Sequence, residues 1–247
     1  MEFLILGPLE FSEDGRKLAL GGPKQRVVLA HLILRANRVV PDGTDVTLLT
    51  GAPGDEYQPA WSPDGSRIAF AFDDLGDPDF RSGVANMNSE GSARTDLVVR
   101  ENERVESPLW SPDGTRIAFD AFSQDGIRPD AYVMDADGSE VIKLGGGPTV
   151  ALAWTPDGRR LLVSRGGSLL TVDPDGTHER VVLADPPDDG RLWVDWSPDR
   201  RWMVMSAANP SGHGSGDDDA MYLTRVAGGQ VFFLGSGSDP DWRPEAP

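Results

Sequence analysis

The 247-residue sequence contains no cysteine, which excludes disulfide bonds and thiolate metal sites and leaves the redox compartment open. Histidine is scarce, and its three occurrences, His31, His178 and His213, lie in three different predicted elements. The sequence has no Gly-x-Ser-x-Gly motif, the turn that carries the nucleophile of α/β-hydrolases. Because no Ser-His-Asp arrangement is visible, we expect no catalytic residues and a protein that is not an enzyme.

Long apolar runs are also missing. No run approaches the roughly 18 residues that a membrane-spanning helix needs. The first six residues carry no basic leader and are too short for a secretory signal. We therefore expect a cytoplasmic location and no membrane partner.

Basic residues are few, with 23 Lys and Arg against 40 Asp and Glu, a net charge of −17. Residues 1–40 hold six basic and four acidic side chains, whereas the remainder holds 17 and 36. Because phosphate contacts need a basic surface, residues 41–247 are poor candidates for binding nucleic acid. Acidity of this kind is typical of a surface that keeps a protein in solution.

What the sequence does contain is a short motif that recurs. Tryptophan begins each copy, at spacings of 49, 44, 42 and 46 residues, and a turn follows. Such a period is typical of one supersecondary unit repeated around a ring or along an array. The motif residues are Trp61, Pro63, Asp64, Gly65; Trp110, Pro112, Asp113, Gly114; Trp154, Pro156, Asp157, Gly158; Trp196, Pro198, Asp199; and a degraded copy at Trp242.

Each motif predicts a tight turn between two strands. Ser or Thr opens the turn, Pro presets φ, Asp bonds the nearby backbone and Gly adopts the left-handed conformation. An apolar strand follows, as in Arg116-Ile117-Ala118-Phe119. The fourth copy has Arg200 in place of Gly, so either its turn changes type or Arg200 adopts a left-handed conformation at a cost of about 1 kcal/mol. We expect the Trp to pack between neighbouring units.

One unit contains four predicted antiparallel strands, which is typical of a β-propeller blade. In the second unit these are 106–110, 116–122, 131–135 and 140–144. The Trp-Ser-Pro-Asp-Gly motif, together with the downstream run from Tyr132 to Ser139, resembles the TolB-like family of β-propellers over about residues 42–243. The resemblance implies a mainly β fold that usually closes with six blades.

Four blades are complete in the sequence, at about 55–100, 105–145, 150–184 and 191–234. The chain ends supply two more predicted strands, 46–50 and 238–242, which belong to a partial blade. Its two middle strands are missing. The ring is thus either open or covered by the N-terminal segment or a second copy of the chain. We expect either self-association through the incomplete faces or partial instability.

Residues 1–40 differ from the repeats. Short strands are predicted at 3–6, 9–12 and 17–20, followed by a helix that begins near Pro23 and ends near Arg35. Ile5-Leu6-Gly7-Pro8-Leu9, Gly21-Gly22-Pro23-Lys24-Gln25-Arg26 and Leu34-Arg35-Ala36-Asn37 resemble the opening of the OmpR-type winged-helix domain of actinobacterial antibiotic-regulator activators. That resemblance implies a small α+β segment.

The segment departs from that family after Val40, where the helix that reads DNA should follow. We interpret residues 1–40 as a truncated winged-helix segment and 41–247 as the propeller. DNA binding through residues 1–40 is the less favoured reading. The abrupt junction suggests a regulator's start joined to the interior of a propeller gene, or an interrupted reading frame.

Metal and cofactor signals are weak. The acidic turns 135–138 and 173–176 lack the third ligand and the distal Glu of a calcium loop, so ordinary β-turns are favoured. The segment 211–219, with one His and three consecutive Asp, is predicted to be a solvated loop rather than an ion site. We expect no metal and no cofactor.

A propeller binds partners mainly at the mouth of its central channel, where the innermost strands begin. Aromatic and Arg side chains there are common anchors. The sequence thus favours a non-catalytic module that binds a protein or peptide; the alternatives are a transcriptional regulator with the propeller as sensor, and an accessory to a serine peptidase encoded elsewhere. The predicted mouth residues are Glu56, Tyr57, Glu106, Arg191, Trp193 and Asp239.

Overall fold

A computed structural model describes residues 11–13, 16–18, 48–51, 54–74, 80–123, 129–184, 186, 192–197, 199–207, 220–226 and 230–236. All regular elements in these ranges are strands. Within the same ranges, no helix is both long and apolar enough to cross a membrane. The expected cytoplasmic location stays a prediction.

Sixteen of the strands form four sheets of four strands each, and every sheet is antiparallel with its strands in chain order. The first contains β3 (Asp55–Trp61), β4 (Arg67–Asp74), β5 (Arg81–Asn88) and β6 (Thr95–Glu101). The second contains β7 (Glu103–Trp110), β8 (Arg116–Ser123), β9 (Pro129–Asp135) and β10 (Ile142–Lys143). The third contains β11 (Thr149–Trp154), β12 (Leu161–Arg165), β13 (Ser168–Val172) and β14 (Arg180–Ala184). The fourth contains β15 (Trp193–Trp196), β16 (Trp202–Ala207), β17 (Ala220–Arg225) and β18 (Phe232–Ser236).

The sheets are arranged as propeller blades. Their first strands are spatial neighbours in succession, β3 beside β7, β7 beside β11 and β11 beside β15. The first strand of each blade is therefore the innermost one, and the fourth lies at the rim. The mainly β fold with four complete four-stranded blades, predicted from the repeats, is confirmed.

Apolar side chains fill the spaces between blades. In β8, Ile117 and Phe119 pack with Val84 of the first blade, whereas Ala118 packs with Leu161 of the third. Both faces of such a strand are covered, which explains why its residues 117–121 are all buried. Each pair of successive described blades thus shares one apolar layer.

The glycine of the turn between the third and fourth strands joins successive blades at their rim. Gly138 has a φ of +89°, and a Cβ there would lie 2.6 Å from the carbonyl oxygen of Leu97 in the preceding blade. Gly91 has the same relation to Leu49. Its φ is +84°, and a Cβ there would lie 2.4 Å from the Leu49 carbonyl oxygen. Leu49 also packs against the buried face of the first blade, so it occupies the position that Leu97 occupies at the next joint.

The prediction of a strand at 46–50 is wrong for its described part, because residues 48–50 belong to no strand. A rim strand needs a third strand of its own blade as a hydrogen-bonding partner, and none of the described strands pairs with residues 48–50. The described contact of Leu49 is the packing of its side chain against the first blade. The partner strand predicted at 238–242 lies outside the described residues.

In the N-terminal segment the structure describes one hairpin, in which β1 (Phe11–Glu13) pairs with β2 (Arg16–Leu18). The predicted strands at 9–12 and 17–20 overlap it by two residues each. The predicted strand at 3–6 and the helix from Pro23 to Arg35 lie outside the described residues.

Candidate functional site

The motif turns have the same hydrogen-bond pattern in every blade. In the second blade the Ser111 hydroxyl donates to Asp113 Oδ1 at 2.7 Å and accepts from the Arg116 N–H at 2.9 Å. The Thr115 N–H also donates to Asp113 Oδ1, at 3.0 Å. The Gly114 N–H closes the turn on the Ser111 carbonyl. The turn therefore begins strand β8 by satisfying backbone groups that no strand partner reaches.

Arg200 keeps this turn in the fourth blade. Its φ is +60°, and its N–H donates to the Ser197 carbonyl at 2.8 Å, as glycine does in the other three turns. Of the two alternatives left open by the sequence, the structure shows the second. Arg200 adopts the left-handed conformation, and the turn type is unchanged.

An open groove of about 650 Å³ lies between the first two motif turns, with Asp64, Asp113 and Asp137 along it. Hydrogen bonds from Ser62 and Ser66 lower the pKa of Asp64 to about 2, and equivalent donors lower the pKa of the other two. All three carboxylates accept hydrogen bonds inside their own turns. Their first role is to shape the backbone.

The opposite end of the blades is where the innermost strands begin, and Glu56 and Tyr57 lie there on β3. They point to opposite faces of the first blade, since Glu56 is opposite Phe72 and Tyr57 is opposite Ala71. Glu56 accepts from Arg94 Nε at 3.3 Å. Only Tyr57 faces the second blade, where its hydroxyl contacts the Val105 carbonyl at 3.2 Å.

Around Tyr57 lies a group of polar side chains, Asp73, Arg104 and Glu106. Together with Asp120, which lies opposite Glu106 in the strand pair, they form what we call the interblade cluster. The Tyr57 hydroxyl donates to Asp73 Oδ1 at 2.8 Å. The Arg104 guanidinium lies over the Tyr57 ring, 5.3 Å from its centroid, and its Nε is 3.0 Å from Glu106 Oε1 and 3.7 Å from Asp73 Oδ2. Burial, together with the hydrogen bond to Asp73, raises the pKa of Tyr57 to about 12. Tyr57 is therefore a neutral donor at physiological pH.

Asp120 is the most buried member of the interblade cluster, at 2% exposure. Its Oδ1 accepts from the Ala151 N–H at 2.9 Å, which ties the second blade to the third. Burial raises the pKa of Asp120 well above its usual value, the Ala151 N–H lowers it, and the negative charge of Glu106 raises it further. A carboxyl group in this position is stabilised in its protonated form.

The structure describes two of the other four predicted mouth residues, Glu106 and Trp193. Glu106 belongs to the interblade cluster, opposite Asp120 in the strand pair. Trp193 is the first residue of β15 and is 49% exposed. Arg191 and Asp239 lie outside the described residues. The binding role of these positions stays a prediction.

The sequence reasoning did not single out Asp73, Arg104 or Asp120. Asp120 carried a signal, because it interrupts the apolar run Ile117-Ala118-Phe119 and Ala121-Phe122, and a carboxylate inside such a run must find a partner. Arg104 carried none. Its contacts with Tyr57 and Asp73 join residues on two blades.

Within the described ranges, no group of three or more acidic or histidine side chains is arranged to hold a metal ion. The acidic segment 173–176 forms a β-turn in which the Gly176 N–H donates to the Asp173 carbonyl at 2.8 Å. The Asp173 side chain contacts Arg160 Nε at 2.9 Å and His178 Nδ1 at 3.0 Å. The loop 211–219 lies outside the described residues.

Curated transcriptional regulators resemble the N-terminal region of this chain. A 40-residue segment is 58% identical to the transcriptional regulatory protein MoaR1 of Mycobacterium tuberculosis, covering 16% of this chain and 13% of that protein. A 69-residue segment is 42% identical to the transcriptional regulatory protein EmbR of the same species, covering 28% of this chain and 16% of that protein. The chain therefore matches a small part of each regulator's length. No protein-family profile matches the chain.

Solved structures resemble the propeller. TolB from Acinetobacter baumannii superposes with a TM-score of 0.56 at 21% identity, covering 79% of this chain and 48% of that one. An oligogalacturonate lyase from Vibrio parahaemolyticus superposes with a TM-score of 0.59 at 13% identity, covering 78% of this chain and 58% of that one. A puromycin-hydrolyzing peptidase from M. tuberculosis superposes with a TM-score of 0.57 at 17% identity, covering 79% of this chain and 31% of that one. The described blades have the fold of TolB-like β-propellers.

These structures correct one expectation. We inferred from the fold and the missing triad that the protein is not an enzyme, and this inference is wrong, because a lyase and a peptidase contain the same fold. A propeller provides a rigid scaffold, and chemistry depends on the side chains that a particular chain places on it.

Proposed function

We propose that the chain is a β-propeller module that binds a protein or peptide at the end where its innermost strands begin. The observation that carries the proposal is the position of Arg104. Its side chain is 54% exposed, yet Tyr57, Asp73 and Glu106 hold it in one orientation. A cation fixed before binding loses little conformational entropy when a partner arrives.

The residue types at this end support the same proposal. Tyr, Trp and Arg are the side chains that most often dominate binding energy at interfaces. Tyr57, Arg104 and Trp193 lie within the first three residues of β3, β7 and β15. The starts of neighbouring inner strands lie side by side in a propeller, so these residues belong to one end of the molecule.

The experiment has two stages. Peptides that bind the full chain are first selected from a random peptide library displayed on phage, and the affinity of a selected peptide is then measured by fluorescence anisotropy. We expect Arg104→Ala to weaken binding about tenfold or more, the range of an interface anchor. Arg116→Ala is the matched control, because Arg116 is 45% exposed and contacts Asp135 at the opposite end of the blade. Equal affinities of the two variants, or no selected peptide at all, would refute the proposal.

A second candidate function is transcriptional regulation, and the similarity of the N-terminal region to MoaR1 and EmbR favours it. This function requires the cytoplasmic location expected from the sequence. Binding of the full chain to the DNA upstream of its own gene would be measured by gel shift at several salt concentrations. Contacts with phosphates predict an affinity that falls steeply as salt rises. Binding that is absent at low salt would exclude this function.

A further inference from the structure

The rim strand of the fourth blade exposes three consecutive large apolar side chains. Phe232 is 44% exposed, Phe233 63% and Leu234 51%. Phe232 lies opposite Leu223 and Phe233 opposite Tyr222, so the exposed side chains are on both faces of β18. Phe233 contacts the Tyr222 ring at 5.7 Å and still exposes most of its surface. Among the residues that the structure describes, this is the longest continuous exposed apolar run.

The rim strands of the other three blades are protected against pairing with another chain. β6 carries Asp96, Arg100 and Glu101, β10 has only two residues, and β14 begins at Arg180. Charged side chains and short length are the usual means by which proteins prevent contacts between strand edges. The sequence of β18 is Phe-Phe-Leu-Gly-Ser, which has no charge.

A second feature of β18 is its outer backbone edge, which faces away from β17. Its inner edge pairs with β17, and in the described part of the sheet no strand lies beyond it. The outer edge of such a strand presents N–H and C=O groups that an added strand can pair with, here on either side of the bulge at Leu234.

A second copy of the same chain fits this edge. Two antiparallel strand edges are self-complementary about a twofold axis, so one surface serves both partners. The chain carries a net charge of −17, and two copies therefore repel each other over most orientations. An uncharged strand at the rim is the place where two copies can approach with the least repulsion.

We propose that two copies of the chain pair antiparallel through β18 and so join their fourth blades into one continuous sheet. This surface is separate from the interblade cluster, so the dimer and the proposed binding site can each exist without the other. A single strand pair buries little area, so the expected dissociation constant is on the order of 1–100 μM.

Sedimentation velocity on the full chain over a range of concentrations tests the proposal. We expect the wild-type chain to form a dimer that dissociates on dilution, and Phe233→Lys to weaken it at least tenfold. Val181→Lys is the matched control, since Val181 is 56% exposed on the protected rim strand β14. The proposal would be overturned by any of three results: a wild-type chain that stays monomeric up to about 1 mM, a dimer that Phe233→Lys leaves unaffected, or a dimer that both variants weaken equally.

The absence of cysteine permits a second measurement that depends less on affinity. A single cysteine introduced by Phe233→Cys near the twofold axis has only its symmetry mate to react with, because the chain has no other thiol. We expect a disulfide-linked dimer under mild oxidation with Phe233→Cys and none with Val181→Cys. Cross-linking through position 181 and not 233 would assign self-association to another surface and refute pairing through β18.

Discussion

The indole Nε1 of Trp154 donates a hydrogen bond of 3.0 Å to the carbonyl oxygen of Leu109, the residue before the motif tryptophan of the preceding blade. Trp110 makes the same bond one joint earlier, to the Ala60 carbonyl at 3.1 Å. At the last joint the pattern stops, because Trp196 Nε1 is buried without a hydrogen-bond partner in the described structure. At these two joints the motif tryptophan thus joins neighbouring blades by a hydrogen bond of its indole N–H as well as by the packing of its ring.

Replacing Trp154 by Phe should lower the free energy of unfolding by about 1–2 kcal/mol more than replacing Trp196 by Phe. Both changes remove similar ring volume, but only Trp154→Phe breaks a hydrogen bond and leaves the Leu109 carbonyl without its donor. Urea denaturation followed by circular dichroism measures the difference. Equal losses would show that the indole hydrogen bond contributes nothing to the joint.

The rim joint can be tested with two glycines of similar backbone conformation. Gly65 has a φ of +69° with open space around it, whereas a Cβ at Gly138 would lie 2.6 Å from Leu97 O. Both Ala substitutions have the left-handed cost of about 1 kcal/mol. We expect Gly138→Ala to cost a further 1–3 kcal/mol, roughly the range for overpacking, because backbone of the preceding blade must move. A thermal or urea scan in which the two variants behave alike would contradict the contact with Leu97.

Arg200→Gly should stabilise the protein by about 0.5–1 kcal/mol, because glycine adopts a φ of +60° without the steric cost that arginine has there. Gly114→Ala is the reciprocal change at the same turn position, where φ is +71° and a Cβ would make only an ordinary contact with Pro63. It should destabilise by a similar amount. Chemical denaturation of both variants gives the comparison; a destabilised Arg200→Gly would mean that the arginine side chain makes a contact worth more than the backbone cost.

Ionisation of Asp120 should lower the free energy of unfolding as pH rises, whereas ionisation of the turn aspartate Asp113 should raise it. Its pKa is raised in the folded protein, so its contribution is fully present below the unfolded pKa and is lost as pH rises through the folded pKa. Asp120→Asn keeps an acceptor for the Ala151 N–H and removes the ionisation. The variant should therefore gain stability relative to wild type between pH 4 and pH 8, by about 1–3 kcal/mol at the upper end.

Asp113→Asn is the control with the opposite sign. Hydrogen bonds from Ser111 and Thr115 lower the pKa of Asp113, so its contribution is present above the unfolded pKa and is lost as pH falls through the folded pKa. The deficit of this variant relative to wild type should shrink on acidification. Stability curves that stay parallel to wild type for both variants would contradict the two assignments.

The repeated turns were predictable because their interactions are local. Ser111, Asp113 and Arg116 meet within six residues of sequence, and the same residue types at the same offsets must form the same hydrogen bonds. The fold class followed from that repetition. The strand at 46–50 failed because a rim strand depends on partners that the local sequence cannot supply.

The interblade cluster was not predictable in the same way. Tyr57 and Arg104 are 47 residues apart, and irregularities in β3 after Tyr57 and in β7 after Glu106 change which face later side chains occupy. Counting alternate residues along a strand therefore gives the wrong face beyond each bulge. Glu56 and Tyr57 both lie at the start of β3, but as adjacent residues of a strand they face opposite sides of the blade.

The joint that Gly91 makes with Leu49 is repeated by Gly138 with Leu97, one blade further along the chain. Since these two joints have the same shape, a copy of the blade between them would meet a fitting surface on either side, and the number of blades can change without redesign of the joints.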